Sequence, residues 1–508
     1  MRSSFQDRLG KCCAIAILFA LLLWPLLELH AYYFEAPLYT VGDFAANELL
    51  VIDAKHFTLL HGHYSRLGFF HPGPFFLYAL ALGETLSIDL VPLLGSPLAA
   101  HSMAAALLAS LALSLYFYVW FRYSRSILTA LLATGVMMSC LTLAGIDYLT
   151  VPWTPVMLAN SMLFLLTGLM GWYLLNGAWI LLALFGALQL IHGHASFLGL
   201  LPLMLLVTGG ILGFRNVWQR FASLHTGVLL SAVVLISIFL LPLALNTWLH
   251  WPGDWPKYFR QADRQQHIDL TDKLQLAASF LAFGLGGIAL LYRPARMRQS
   301  SSPASTALAL VSLAIFIGAG ASLLLFVVKA IDDTAHRYLL FWFVPAAALL
   351  SAAGIDHLLQ MLSAAVKAVC SLALGVLLAF IASDSIPVTV YNFVEGPKIE
   401  SFYQQMKQLS RDSGKQLRIS LDRSQNQTIL WSQTLAMLTK MKRDETMFAC
   451  IDIRSWDISF TEWARCPDVA SISLIPVAVA YISYIDPIPL KGAGELRLTI
   501  DPAAASGN

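Results

Sequence analysis

Long apolar runs separated by short polar breaks organise this chain. The first extends from Lys11 to about Tyr32, behind a basic head of Arg2, Arg8 and Lys11. Others follow near residues 93–121, 126–146, 155–175, 178–192, 195–213, 225–247, 274–292, 306–328, 338–356 and 363–383. Most approach the roughly 20 residues that a helix needs to cross a hydrocarbon layer. The pattern therefore predicts an α-helical polytopic membrane protein with about eleven transmembrane helices. The first run is long for the core of a signal peptide and no small-x-small cleavage site follows it, so it reads as an uncleaved span. No internal repeat is visible, which argues against transporter folds built from inverted repeats.

Beyond residue 384 the pattern changes to ordinary alternation of polar and apolar positions. Pro397–Ser413 reads as an amphipathic helix with proline at its start, and Gln416–Leu421 as a strand. Gln425–Lys442 reads as a second helix, with further strands near 470–476 and 495–500. The chain thus divides into a membrane domain, 1–384, and a C-terminal α/β domain, 385–508, with a long first loop at 33–92.

Composition agrees with the hydropathy. Charged residues are 12% of the 508, against roughly 25% in soluble domains, and 58% are hydrophobic. Mean hydropathy is +0.68. A soluble globular enzyme and a disordered chain are both excluded. The net charge of +2 gives no sign of a nucleic-acid partner. It is the distribution of charge that informs. With the N-terminus in the cytoplasm, Arg122, Arg125, Arg215, Arg220, Arg293, Arg296 and Arg298 fall in inner connections, as the positive-inside rule requires. The outer connections are then 33–92, 147–154, 192–194, 248–273 and 329–337, and the C-terminal domain lies outside. Cys450 and Cys466 stand in that domain and would pair in an oxidising compartment. No CxxC occurs.

The first outer loop concentrates the polar chemistry, with Asp43, Glu48, Asp53, His56, His61, His63, Tyr64, Arg66 and His71. Loops of this length usually carry function. A helix over Phe44–Leu60 is expected between Gly42 and Gly62, with Asp43 as its N-cap. Glu48 lies among apolar neighbours, where a carboxylate needs either a partner or a task. His71-Pro72-Gly73-Pro74 fixes a turn that opens a helix at Phe75. A second cluster, Asp332-Asp333-Thr334-Ala335-His336-Arg337-Tyr338, leads into a late span. There Arg337 offers donors suited to phosphate, or acts as a headgroup anchor. Trp248 to Lys273, which contains Trp251, Trp255, Lys257, Arg260 and Arg264, is a substrate loop or an aromatic interface belt. His192-Gly193-His194 reads as a tight turn between spans.

The first loop resembles that of the GT-C superfamily of integral membrane glycosyltransferases. It is similar in pattern to the protein-mannosyltransferase-like group and to the bacterial aminoarabinose transferases. Those proteins carry an acidic pair, a later glycine and a His/Lys-Pro-Pro-type turn. Asn47-Glu48, Gly62 and His71-Pro72-Gly73-Pro74 fall at these places, and His336-Arg337-Tyr338 resembles their late Arg-Tyr. Asn47 stands where the pair has Asp, and Asp43 lies four residues earlier. A bacterial branch with Gly-Asp-x-Ala-x-x-Glu-Leu and His-Pro-Gly-Pro is the nearest in pattern.

The resemblance implies a GT-C-like fold in the bacterial inner membrane, with a periplasmic C-terminal domain. It implies an inverting transfer of sugar from a polyprenyl-phosphate-linked donor to a lipid, glycan or protein acceptor. Glu48 and Asp43 are the two candidates for the carboxylate general base. Arg337, with His336, would hold the donor phosphate. His71, Asp53, Tyr64, Arg66 and Asp333 are supporting site residues. A divalent cation is left open, with Asp43, Glu48 and Asp332 as its carboxylates. Two other readings remain open: a lipid or solute transporter, and a non-catalytic sugar-lipid-binding relative. The near absence of charge from the middle of the spans disfavours transport.

Overall fold

The computed structural model describes residues 2–35, 39–260, 268–291, 303–360, 369, 373–375, 396–414, 416–421, 427–452, 456–467, 477–485 and 495–500. In chain order the helices are α1 (Arg2–Glu28), α2 (Gly42–Lys55), α3 (Phe75–Glu84), α4 (Pro97–Ser124), α5 (Ile127–Leu143), α6 (Thr154–Leu174), α7 (Ile180–Gly193), α8 (Phe197–Leu212), α9 (Phe214–Ala222) and α10 (Thr226–Leu249). There follow α11 (Trp255–Arg260), α12 (Leu270–Leu291), α13 (Pro303–Ala330), α14 (Val344–Leu359), α15 (Gly396–Ser413) and α16 (Gln427–Arg443). The strands are β1 (Tyr64–Ser65), β2 (Phe69–Phe70), β3 (Gln416–Leu421), β4 (Ala449–Ile451), β5 (Val477–Ile485) and β6 (Glu495–Ile500).

The chain forms two compact units. One comprises Met1–Leu29 and Ser102–Val388, the other His30–His101 and Thr389–Asn508. The long first loop therefore shares a unit with the C-terminal segment.

The first unit is helical. Among the described residues, six helices are long and apolar enough to cross a membrane: Asp7–Glu28, Pro97–Ser124, Thr154–Leu174, Thr226–Leu249, Thr306–Ala330 and Thr334–Leu359. The pair α8 and α9 makes a seventh if it counts as one span, although it is bent by 102°. This is fewer than the eleven expected from hydropathy. The remaining expected runs correspond to α5, α7, the bent pair and α12, or, near 363–383, lie almost wholly outside the described residues. The run expected at 338–356 begins as a 3-10 helix, Thr334–Phe343, before α14. Two glycines show how closely these helices pack. A Cβ at Gly186 of α7 would sit 2.6 Å from the Ser161 carbonyl oxygen of α6. One at Gly318 of α13 would sit 2.5 Å from the Met204 carbonyl oxygen of α8. In an apolar solvent such close backbone approach replaces the hydrophobic effect as the source of helix association. His192 is the exception to its expected place in a turn. It lies buried within α7, with Nε2 2.9 Å from the Phe239 carbonyl oxygen.

The second unit is an α/β layer. Its sheet has the order β4-β3-β5-β6, with β3 parallel to β4 and β5, and β6 antiparallel to β5. β3 has the expected limits, and its alternation turns Leu417, Ile419 and Leu421 inward. The strand expected at 495–500 is β6; the one expected at 470–476 lies outside the described residues. Both expected helices form, as α15 and α16. Ala45, Ala46 and Leu49 of α2 join one buried cluster with Tyr403, Met406, Leu417, Leu435 and Met441. A segment near the start of the chain thus completes the core built by its end. Cys450 and Cys466 form a disulfide across 16 positions.

Candidate functional site

α2 carries three acidic residues of the first loop, Asp43, Glu48 and Asp53. Val41 is extended and Gly42 has φ +55°, a conformation that glycine adopts without steric cost. Asp43 lies inside the first turn rather than at the N-cap, and no side chain caps this helix. An acid there still meets the positive end of the helix dipole, and Lys55 meets the negative end. The helix stops at Lys55, short of the expected Leu60, because Phe57 takes a left-handed conformation at φ +57°.

Glu48 is 4% exposed. It accepts a hydrogen bond from Thr40 Oγ1 at 2.6 Å and one from Arg443 Nε. The two terminal nitrogens of Arg443 reach Glu84, Nη1 to Oε1 at 2.9 Å and Nη2 to Oε2 at 2.9 Å. Glu84, at the end of α3, is 1% exposed. It also accepts from Lys55 Nζ at 2.7 Å, and His101 Nε2 lies 3.0 Å away. Lys55 extends the network to Asp89 at 2.7 Å. Burial alone would push the Glu84 carboxyl up. Hydrogen bonds and charge from Arg443 and His101 more than offset it and hold the group well below the usual carboxylate range. Burial likewise opposes the charge on Arg443, but Glu48 and Glu84 drive its pKa upward.

Asp43 differs. It is half-buried and accepts a hydrogen bond from the Tyr64 hydroxyl. Tyr64 belongs to the β1–β2 hairpin, and its ring centroid lies 6.1 Å from that of Trp431 in α16. Asp53 is paired with Lys442 Nζ at 2.7 Å, and that ammonium also reaches the Leu49 carbonyl oxygen at 2.9 Å. Burial depresses the Lys442 pKa, with Asp53 acting against the shift.

His71 is buried in the hairpin. Its backbone N–H donates to the His63 carbonyl at 2.9 Å, and the two imidazole centroids are 4.2 Å apart. Arg66 is exposed at the hairpin turn. Pro74 stands at the N-cap of α3, so the His-Pro-Gly-Pro turn opens a helix as expected.

The late cluster belongs to the first unit. Asp333 caps the 3-10 helix, its Oδ1 accepting from the Ala335 N–H at 2.9 Å. His336 Nδ1 lies 3.1 Å from Asp332 Oδ1, and Arg337 is exposed. Within the second unit Asp43, Glu48 and Asp53 thus lie on α2 with Tyr64 against Asp43, while His71 stays with the hairpin. Four partners were missed from sequence: Glu84, His101, Lys442 and Arg443. Glu84 closes an apolar stretch, and a carboxylate in that setting was the one available signal. Among the described residues, no group of three or more His, Cys, Asp or Glu side chains is arranged to hold a metal ion.

No protein-family model matches the chain, and no curated protein matches it. Solved structures do. ArnT from Cupriavidus metallidurans in the apo state superposes with a TM-score of 0.54 at 14% identity, over 95% of this chain and 93% of that one. The same protein bound to undecaprenyl phosphate gives 0.53 at 12% identity, over 93% and 92%. The chain therefore shares the fold of ArnT over most of its length.

Proposed function

We propose that this protein is a membrane glycosyltransferase that moves a sugar from a polyprenyl-phosphate-linked donor to a lipid, glycan or protein acceptor. The observation that carries the reading is the likeness over 95% of the chain to ArnT, one structure of which holds undecaprenyl phosphate. The carboxylates of α2 supply chemistry to match. In the reaction, a carboxylate takes the proton of an acceptor hydroxyl while that oxygen bonds to the anomeric carbon. The bond from that carbon to the donor phosphate breaks, and its electron pair leaves with polyprenyl phosphate.

Geometry favours Asp43 as the base. It is half-buried and accepts a hydrogen bond from the Tyr64 hydroxyl. Glu48 is enclosed between Thr40 and Arg443, which suits holding the loop more than receiving a proton. Arg337, exposed beside His336, is assigned to the donor phosphate. Tyr64 positions Asp43, His71 and Arg66 shape the hairpin that carries Tyr64, Asp53 ties α2 to Lys442, and Asp333 caps the 3-10 helix that carries Arg337. The arginine-bearing inner connections and the Cys450–Cys466 disulfide support an inner-membrane protein with a cytoplasmic N-terminus and a periplasmic C-terminal domain.

The test is a mass spectrum of lipid-linked glycans and envelope polysaccharides from a deletion strain. The strain is complemented in turn with wild type, Asp43→Asn and Glu48→Gln. Loss of a sugar on deletion, restored by wild type and not by Asp43→Asn, is expected. Restoration by both variants would indicate a non-catalytic sugar-lipid-binding role. No change in any strain would favour the transporter reading.

A further inference from the structure

α9 is turned 102° from α8. Gly213 makes the bend, at φ +84°, where a side chain would be strained. The nine residues Phe214–Ala222 carry Arg215 and Arg220 and no acid. Phe214 and Trp218 are 59% and 67% exposed. A short basic helix with exposed aromatic rings, set across the end of an apolar bundle, has the composition of one lying at the headgroup level of a bilayer.

Beneath α9 lies a cavity of about 370 Å³. It is walled by apolar side chains from five further helices, among them Leu165, Ala187, Leu205, Ala232 and Val311, and Val217 and Phe221 of α9 also line it. Its polar side chains are few, Thr208 and Tyr173 among them. The Arg220 guanidinium carbon stands 4.3 Å from the Tyr173 ring centroid, so a cation is fixed beside an apolar chamber.

We propose that this chamber takes an acyl chain of an anionic membrane phospholipid, whose phosphate is held by Arg220. The apolar lining matches a hydrocarbon chain, and a helix with two cations and no acid favours a headgroup of net negative charge over a zwitterionic one. The site lies wholly in the first unit. It is independent of the carboxylates of α2 and of the donor assigned above.

Native mass spectrometry of the full chain in detergent, titrated with phosphatidylglycerol or phosphatidylcholine, tests the site. One phosphatidylglycerol should be retained at least about tenfold more tightly than phosphatidylcholine. Arg220→Gln, an exposed change, should weaken that binding roughly fivefold, the value of one basic residue near an anionic surface. Ala232→Phe fills the cavity and should abolish retention. Val233→Phe, at a position 60% exposed outside the lining, should not. Equal retention of the two lipids would overturn the proposal. So would undiminished binding in Arg220→Gln or Ala232→Phe, or displacement of phosphatidylglycerol by equimolar undecaprenyl phosphate.

Discussion

Arg443 hydrogen-bonds through Nε to Glu48, a residue 395 positions earlier, and clamps Glu84 with its two remaining nitrogens. One guanidinium therefore satisfies two buried carboxylates from two helices of the first loop. Its planar fork makes this geometry possible, and a lysine could not reproduce it.

Removing that cation leaves two buried anions with reduced compensation. Arg443→Met should destabilise the protein by about 3–5 kcal/mol, the usual cost of breaking a buried ion pair from one side. Arg443→Lys should recover part of this. Thermal unfolding in detergent reads both. A melting temperature unchanged in Arg443→Met would show that the network contributes little.

The same network sets an acid limit. The Glu84 pKa is lowered by folding, so its stabilisation is complete above the ordinary glutamate value of 4.5 and is lost as pH falls through the lower folded value. Lys55 is raised: burial acts against it, but hydrogen bonds to Asp89 and Glu84 prevail. Its stabilisation is complete below the ordinary lysine value of 10.5 and fades as pH rises through the folded value. Melting temperature measured against pH should thus form a plateau between these limits. In Glu84→Gln the acid shoulder should move or disappear.

The two acids of α2 should separate in their effects. Asp43→Asn should lower kcat by about 10²–10⁴-fold, the usual range for loss of a general base, with little change in melting temperature. Glu48→Gln should lower the melting temperature more than Asp43→Asn does. A full loss of turnover in Glu48→Gln at unchanged stability would reverse the assignment.

Arg337 is exposed, so Arg337→Ala should fold normally. If it binds the donor phosphate, the variant should raise KM for the lipid-linked donor about tenfold or more, the scale of one charge-assisted hydrogen bond. KM for the acceptor should stay within twofold. Equal effects on both substrates would remove Arg337 from the donor site.

Cys450 and Cys466 close a short loop at the edge of the α/β unit. Replacing both with serine should cost about 3 kcal/mol on the loop-entropy estimate. In intact cells, a maleimide that labels these cysteines only after reduction would confirm the bond and the outward side of the domain.

Much of this was readable from the chain. Pro74 announced the start of α3 because proline fits a helix entrance, and the alternation at Gln416–Leu421 gave β3 its limits. Glu48 was legible as a carboxylate in need of a partner. That partner was not. Arg443 stands in the last turn of α16 beside Lys440 and Lys442, where basic residues are expected for the helix dipole alone. Nothing local marks it as half-buried. The left-handed Phe57 also gave no sign, because an aromatic residue is an unusual choice for that conformation. Pairings across hundreds of positions are properties of tertiary packing, and periodicity carries no record of them.

The packing of α2 against α16 also orders events at the ribosome. Ala45, Ala46 and Leu49 are synthesised early, yet their apolar neighbours Leu435 and Met441 emerge only after most of the membrane helices. The loop must therefore wait with its inner face uncovered while those helices insert. A chain terminated after α14 would leave that face permanently bare, a target for quality-control proteases however well its membrane helices had assembled.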